Sequence, residues 1–183
     1  VKDLQIITVP VVGLLGSAEL MPGTKVTFNL VVDDSKQGDD GEFSLTEDSK
    51  VYLNEELDAH FDTETIMTIR KECRCNDGKS IAAKISKYLN KADGTEQFVK
   101  DFNENESFAS LEYLSDNKIL FCYPECYCAC VKRVPGEVSK SWCYCTLGNA
   151  EGIFKEVFKK EIKVTLLESI KTGGERCVIE VEW

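Results

Sequence analysis

The first fifty residues group β-branched residues into short runs that predict strands. Two such runs, LQIITVPVV and KVTFNLVVDD, are joined through Pro22-Gly23, and GEFSLTEDSKVYL predicts a third strand. The acidic segment DDSKQGDDGE predicts a solvated loop, because its carboxylates lack the ordered spacing of a calcium loop. We therefore predict a β-rich N-terminal segment over residues 1–53.

The hydrophobic spacing changes near Asn54 to the spacing of amphipathic helices. Asn54 and Asp62 are suitable N-caps for the first helical stretch, Ser80 for a second helix, and Thr95 opens a third. The apolar positions that share the helix faces are Leu57, Phe61, Ile66, Ile69, Ile81, Ile85, Tyr88, Leu89, Phe98, Val99 and Phe102. These stripes predict core packing.

The last third of the chain predicts two hairpins and one more helix. SLEYL and KILFCY flank the turn signal SDN, and IKVTLLESI and CVIEVEW flank KTGGE. Between the hairpins, GNAEGIFKEVFKK has the spacing of an amphipathic helix. Together the patterns predict an α+β domain over residues 54–183, an antiparallel sheet covered by helices, preceded by the β-rich N-terminal extension.

Composition and charge narrow the classes of partner. A hydrophobic content of 43% with 30% charged residues is typical of a globular protein. The net charge of −10 argues against a nucleic-acid partner, because binding to phosphates needs clustered Lys and Arg. No apolar run reaches the roughly 18 residues of a membrane span, and the first residues lack the basic region of a signal peptide. We therefore expect a cytoplasmic protein without a membrane partner.

The stretch FCYPECYCACVKRVPGEVSKSWCYC holds six of the nine cysteines. Nine is an odd number, so complete pairing in intramolecular disulfides is impossible. In a chain without a signal peptide, clustered cysteines are more typical of metal or redox chemistry than of a disulfide framework.

A hairpin centred on Pro135-Gly136 would give this stretch a simple geometry. Residues two apart on a strand share a face, so Cys126 would lie opposite Cys145, and Cys128 opposite Cys143. Tyr and Trp side chains would form the other face. The hypothesis predicts four thiols at the corners of a small quadrilateral.

Four converging thiolates suit tetrahedral zinc, and an iron–sulfur cluster is the second cofactor considered. The predicted ligands are Cys126, Cys128, Cys143 and Cys145, and further candidate ligands are Cys122, Cys130, Cys73 and Cys75. Two other interpretations stay open: disulfides between facing cysteines, and buried thiols that act as small hydrophobic side chains. Cys177 fits the last class, because it alternates with Ile179 and Val181.

Several sites for other chemistries are missing or ambiguous. His60 is the single histidine, and we expect it at the surface or boundary of its helix. A cysteine nucleophile would therefore have no second histidine to act as its base. No nucleophile elbow, P-loop or dinucleotide-binding glycine motif is present. Glu168 stands in an apolar run, either as a buried acid or as the solvent-facing residue of its strand.

The C-terminal block WCYCTLGNAEGIFKEVFKKEIKVTLLESIKTGGERCVIEVEW resembles a bacterial family of small cysteine-rich domains. That family relates to 4-vinyl-reductase-type (hydrocarbon-binding) domains and to L-2-amino-thiazoline-4-carboxylic acid hydrolase-like proteins. The residues that carry the resemblance are Trp142, Cys143, Cys145, Gly148, Phe154, Val157, Glu168, Ser169, Ile170, Gly173, Gly174 and Cys177. The segment LDAHFDTETIMTIRKECRC also resembles the family's helix before a cysteine pair, and the likeness extends over residues 54–183.

The resemblance implies helices that cover an antiparallel sheet and enclose an apolar pocket, an architecture shared with NO-signalling and vesicle-tethering domains. It implies a binding role for a small apolar or sulfur-containing molecule, with zinc on the clustered cysteines. We also expect a homodimer. The function predicted is therefore a sensor-like binding domain with a cysteine-bound metal. The alternatives are a hydrolase of a small C–N or C–S compound, using a thiolate or metal-bound water, and a thiol-disulfide redox protein.

Overall fold

The computed structural model describes residues 55, 57–73, 77–128 and 131–183. After helical residues 57–60 it has four further α-helices, two short 3₁₀ helices and four strands. The helices are α1 Thr63–Glu72, α2 Lys79–Leu89, α3 Thr95–Asn105 and α4 Cys145–Phe158. The strands are β1 Ser110–Ser115, β2 Lys118–Tyr123, β3 Lys163–Glu168 and β4 Cys177–Glu182. The 3₁₀ helices are Lys140–Tyr144 and Ile170–Thr172. The extension predicted over residues 1–53 lies outside the described residues.

The four strands form one antiparallel sheet in the order β1-β2-β4-β3. Both predicted hairpins are present, and the last strand lies between β2 and β3. In the centre of the sheet Phe121 is the register partner of both Leu111 and Ile179. The predicted α+β class, with an antiparallel sheet covered by helices, is confirmed.

The helix starts follow from local hydrogen bonds. The Asp62 carboxylate accepts a bond from the Thr65 N–H at 2.9 Å, so the predicted cap of α1 is confirmed. The predicted Ser80 cap is wrong, because α2 begins at Lys79 after Gly78, which has a φ of +66°. Asp77 takes the capping role instead, since its carboxylate accepts from the Lys79 N–H at 3.1 Å.

Helix α4 is the central element of the core. Its fully buried Phe154 contacts the Phe121 ring of β2, with centroids 5.2 Å apart in an edge-to-face arrangement. Phe158 stacks on Trp183, which follows β4, at 3.7 Å. The helix thus packs on β3 and β4, and α1 and α2 pack on its other side.

The face of the sheet opposite the helices is polar. Lys118 pairs there with Glu180 at 3.5 Å and with Glu182 at 3.1 Å, and Arg176 pairs with Glu112. Alternation along the strands therefore separates a packed face from a charged one. None of the described helices has both the length and the apolar character that crossing a membrane requires.

Candidate functional site: a cavity with a cysteine wall

The predicted cysteine hairpin is wrong. Cys126 and Cys128 lie in a loop after β2, Cys143 lies in the first 3₁₀ helix, and Cys145 is the first residue of α4. Because none of the four is on a strand, the pairing of Cys126 with Cys145 and of Cys128 with Cys143 does not form. The segment SWCYC, whose alternating pattern predicted a strand, is therefore helical.

Hydrogen bonds from the distant Lys171 and a cap at Ser139 explain why the Pro135-Gly136 turn does not join two strands. The Lys171 ammonium donates to the carbonyls of Val134 at 2.6 Å and Gly136 at 2.8 Å. The Val138 N–H donates to the Lys171 carbonyl at 2.8 Å. On the far side, Ser139 caps the 3₁₀ helix by accepting from the Ser141 N–H. The polar groups of this segment are thus satisfied without a partner strand.

A cavity of about 320 Å³ lies between the end of the sheet, α2 and the start of α4. Its volume is at the small end of the range for ligand pockets. The lining consists mainly of aromatic, aliphatic and cysteine side chains: Ile81, Phe108, Tyr123, Glu125, Cys126, Tyr127, Cys128, Val131, Trp142, Cys143, Cys145, Thr146, Asn149, Leu166, Ser169 and Cys177. The four predicted metal ligands therefore do lie on one cavity, together with a fifth cysteine.

The fifth cysteine, Cys177, is the residue that the sequence analysis placed in the core. It opens β4 and faces Tyr123, the last residue of β2, in the strand register. It shares a face with Ile179 and Val181 as predicted, but it stands at the end of that apolar row, where the cavity begins. The signal in the sequence is its place as the first residue of the strand, since a strand's end lies at the edge of the core.

Burial sets the acid–base behaviour of the cavity thiols. Burial raises the pKa of Cys143, the hydrogen bond with Ser169 at 3.1 Å lowers it, and the neighbouring Cys177, Cys126 and Cys128 raise it. Burial also raises the pKa of Cys126, while the Cys128 N–H and the Lys171 charge lower it. At neutral pH these two groups are therefore mainly neutral thiols.

The remaining candidate ligands lie elsewhere or outside the described residues. Cys122 is buried on the polar face of the sheet, and Cys73 ends α1 with its thiol 3.5 Å from the Ile69 carbonyl. Neither lines the cavity. Cys75 and Cys130 fall outside the described residues. The positions of Cys122 and Cys73 therefore do not support the prediction that they are additional metal ligands.

Glu168 and His60, two polar residues considered from the sequence, do not line the cavity. The Glu168 carboxylate accepts from the N–H groups of Glu175 at 2.7 Å and Arg176 at 3.1 Å, so it closes the turn between β3 and β4. His60 is exposed, as expected, and is not part of the cavity lining. Neither residue is among the described residues that line the cavity.

The described side chains do not form a ready-made metal centre. Within residues 55, 57–73, 77–128 and 131–183, no three His, Cys, Asp or Glu side chains stand together in an arrangement that could hold an ion. The cysteines that line the cavity, Cys126, Cys128, Cys143, Cys145 and Cys177, therefore do not meet at one point, and they are called the cysteine wall below. Zinc and an iron–sulfur cluster stay predictions.

The hydrogen bond between Ser169 and Cys143 has a measurable consequence. We expect Ser169→Ala to slow alkylation of Cys143 by iodoacetamide at neutral pH, because the thiolate is the reacting form and loses a bond that stabilises it. The rate at each cysteine is measured by peptide mass spectrometry. Ser80→Ala, at an exposed position of α2, is the control and should change nothing. An unchanged or faster rate in Ser169→Ala would contradict this assignment.

The sequence profile of a family described as "Family of unknown function (DUF6144)" matches residues 28–182. The chain belongs to this family. No curated protein matches it. The DUF6144 match includes the whole cavity and extends into the segment before the described residues.

Solved structures of low sequence identity are similar to this DUF6144 chain. One is a trafficking protein particle complex subunit 3 from Naegleria fowleri, covalently bound to palmitic acid, with 11% identity, 72% of this chain and 87% of that chain covered, and a TM-score of 0.41. Another is an H-NOX protein from S. oneidensis in the Fe(II)NO ligation state, with 14% identity, 88% and 82% covered, and a TM-score of 0.35. At such TM-scores these likenesses carry no argument about the ligand.

Proposed function

We propose that this DUF6144 chain binds a small, neutral and mainly apolar molecule in the cavity beside the cysteine wall. The observation that carries the proposal is the cavity itself, about 320 Å³ lined by aromatic, aliphatic and thiol side chains. Concave apolar sites with a few polar groups are the usual form of small-molecule sites. The proposal agrees with the apolar or sulfur-containing ligand that the sequence resemblance implies.

The charge of the lining supports a neutral ligand. No Lys, Arg or His is among the described residues that line the cavity, and Glu125 is their single carboxylate. A buried carboxylate or phosphate of a ligand would therefore lose its water without gaining a charged donor, at a large cost in free energy. The lining thus selects against anionic molecules.

Two buried polar atoms support a ligand with a small polar group. The indole N–H of Trp142 and the amide oxygen of Asn149 have no hydrogen-bond partner within the described part of the chain, and both residues line the cavity. Such groups cost free energy until they are paired. A ligand with one donor and one acceptor would complement them.

A metal on the cysteine wall is the second part of the proposal. The sequence analysis names zinc on Cys126, Cys128, Cys143 and Cys145, and all four line the cavity. Thiolates are preferred ligands of zinc in structural sites. An ion there would hold the loop after β2 against the start of α4 and so shape the cavity.

The geometry of the cavity gives less support to the two alternative functions, a hydrolase and a thiol-disulfide redox protein. A hydrolase needs an activated nucleophile, whereas burial raises the pKa of Cys143 and its side-chain hydrogen bond goes to Ser169. The redox interpretation rests on the same neighbouring thiols. The relation to 4-vinyl-reductase-type and thiazoline hydrolase-like proteins, the cytoplasmic location and the homodimer remain predictions from the sequence.

Two fluorescent probes with the same aromatic skeleton test the neutral ligand class. Phenyl-naphthylamine is neutral, and anilinonaphthalene sulfonate adds one sulfonate to that skeleton. We expect the neutral probe to bind roughly tenfold more tightly or better, because the sulfonate finds no cationic partner. Equal affinities would show that the lining does not select by charge.

A matched pair of variants locates the binding site. Leu166 lines the cavity, whereas its neighbour Leu167 points the other way and is 51% exposed. We expect Leu166→Trp to fill the cavity and weaken the neutral probe at least about tenfold, and Leu167→Trp to leave it unchanged. Thr146→Trp, at the half-buried start of α4, is a second filling variant if Leu166→Trp folds poorly. Probe binding that survives both filling variants would place the site elsewhere.

A further inference from the structure

We propose that the cavity prefers an electron-rich aromatic compound of the phenol, aryl ether or indole class, and that Arg70 sets this preference through the Trp142 ring. This inference rests on the neutral-ligand part of the proposed function and names the chemical class of that ligand. It also gives a specificity-determining role to a residue of α1 that does not line the cavity.

Aromatic rings form a large part of the cavity lining. The aromatic residues among the described lining residues are Phe108, Tyr123, Tyr127 and Trp142. Tyr123 and Tyr127 meet edge-to-face, with ring centroids 5.6 Å apart. Aromatic rings attract one another in stacked and edge-to-face arrangements, so such a lining favours an aromatic molecule among neutral ligands.

The Trp142 ring has a cation on one of its faces. The guanidinium carbon of Arg70 lies over this ring, 4.5 Å from the centroid. An N–H group of Arg70 also donates to the Trp142 carbonyl at 2.9 Å, so the two residues are held together by backbone and ring. Arg70 is buried and does not line the cavity, whereas Trp142 does. The cavity therefore meets the opposite face of the indole or its edge.

The charge of Arg70 is not neutralised by a carboxylate within the described part of the chain. None of the ion pairs among those residues includes Arg70. A guanidinium carries its positive charge permanently in proteins. Because Arg70 and Trp142 are both buried, little water screens this charge from the ring.

A cation on one face of a ring changes what the rest of the ring attracts. It draws π-electron density toward itself, so the opposite face becomes less negative and the edge more positive. Both changes favour a ligand ring of high π-electron density, whether that ring stacks on the free face or lies against the edge. The cavity can thus select for electron density although its lining has no cationic side chain.

Phe108 and Lys84 form a second pair of this kind and provide a matched control. The Lys84 ammonium lies over the Phe108 ring, 5.1 Å from the centroid, and Lys84 does not line the cavity either. Its side chain, however, is 49% exposed and pairs with Glu106 at 3.1 Å. Water and the carboxylate offset its charge, so we expect Lys84 to affect the ligand much less than Arg70.

The test is displacement of bound phenyl-naphthylamine from the full chain by indole and by tetrafluoroindole. The two compounds are neutral and similar in shape, and the fluorine atoms withdraw π-electron density from the ring. The measured preference is the dissociation constant of tetrafluoroindole divided by that of indole, a ratio in which a change of cavity size largely cancels. We expect Arg70→Met to lower this preference at least about threefold, and Lys84→Met to leave it nearly unchanged.

Two further variants separate charge from structure. Arg70→Lys keeps a positive charge and should retain part of the preference that Arg70→Met loses. If Arg70→Met folds poorly in urea unfolding, Arg70→Gln removes the charge and keeps a donor for the Trp142 carbonyl. The same preference in the charge-removing variants as in the unsubstituted chain, or a larger change in Lys84→Met, would overturn the inference.

The same displacement assay distinguishes this inference from the proposed function. If phenyl-naphthylamine itself does not bind the unsubstituted chain, the neutral-ligand proposal fails. If the probe binds but neither indole displaces it, or both displace it without dependence on Arg70, this inference alone fails.

Discussion

Gly148→Ala is expected to destabilise the protein by about 1–3 kcal/mol, although helix propensity alone would make it more stable. A Cβ atom at this position of α4 would stand 1.9 Å from the Lys71 carbonyl oxygen of α1. The obstacle is backbone, which cannot rotate away as a side chain can. The two helices must therefore separate, and the first turn of α4, with Cys145 and Thr146, moves with them.

The sign of the change makes this prediction decisive. In an exposed helix interior, Ala in place of Gly stabilises by about 0.5–1 kcal/mol. Ala83→Gly, at an exposed position of α2, is the calibrating control and should destabilise by about that amount. Urea unfolding followed by circular dichroism gives both free energies. A more stable Gly148→Ala protein would show that α1 and α4 do not approach each other as described.

Phe154→Ala is expected to lower the free energy of unfolding by about 3–5 kcal/mol. The Phe154 side chain of α4 is fully buried. Its ring contacts Phe121 edge-to-face at 5.2 Å and stacks with Phe158 at 5.8 Å. Removing it leaves a cavity where helix and sheet meet, and a loss of this size is a large part of the stability of a typical domain.

Tyr113→Ala is the control for an aromatic side chain outside the core. Tyr113 lies on the edge strand β1, is 38% exposed and bonds Asp116 at 2.9 Å. We expect its loss to cost less than about 1 kcal/mol. The free energies of unfolding of Phe154→Ala and Tyr113→Ala are obtained from the midpoint and slope of their urea unfolding curves. Similar losses in the two variants would contradict the central place of Phe154 in the core.

The sequence predicted the elements whose signals are local and complete. Each hairpin of the sheet has two β-rich runs with a short polar turn between them, and both are present. Asp62 and Thr95 mark helix starts as predicted, because a cap or first-turn residue acts on its own neighbours. The apolar row of Cys177, Ile179 and Val181 also lies on one face.

The hairpin predicted for the cysteine segment is wrong because the residues that determine its conformation are distant in sequence. The spacing of Cys143 and Cys145 fits a strand as well as a helix, and Pro135-Gly136 is a common hairpin turn. What selects the 3₁₀ helix and loop is Lys171, whose bonds to the carbonyls of Val134 and Gly136 no local pattern shows. For the same reason, the role of Lys171 could not be predicted from the sequence.

The most direct test of the central claim is an amide NMR titration of the full chain with neutral phenyl-naphthylamine. Binding in the cavity predicts saturable shifts of the lining residues Ile81, Thr146, Leu166, Ser169 and Cys177. Leu114 and Leu167, which are exposed and do not line the cavity, should not shift. Shifts confined to those two exposed residues, or no saturable shifts at all, would contradict the assignment of this cavity as the ligand site.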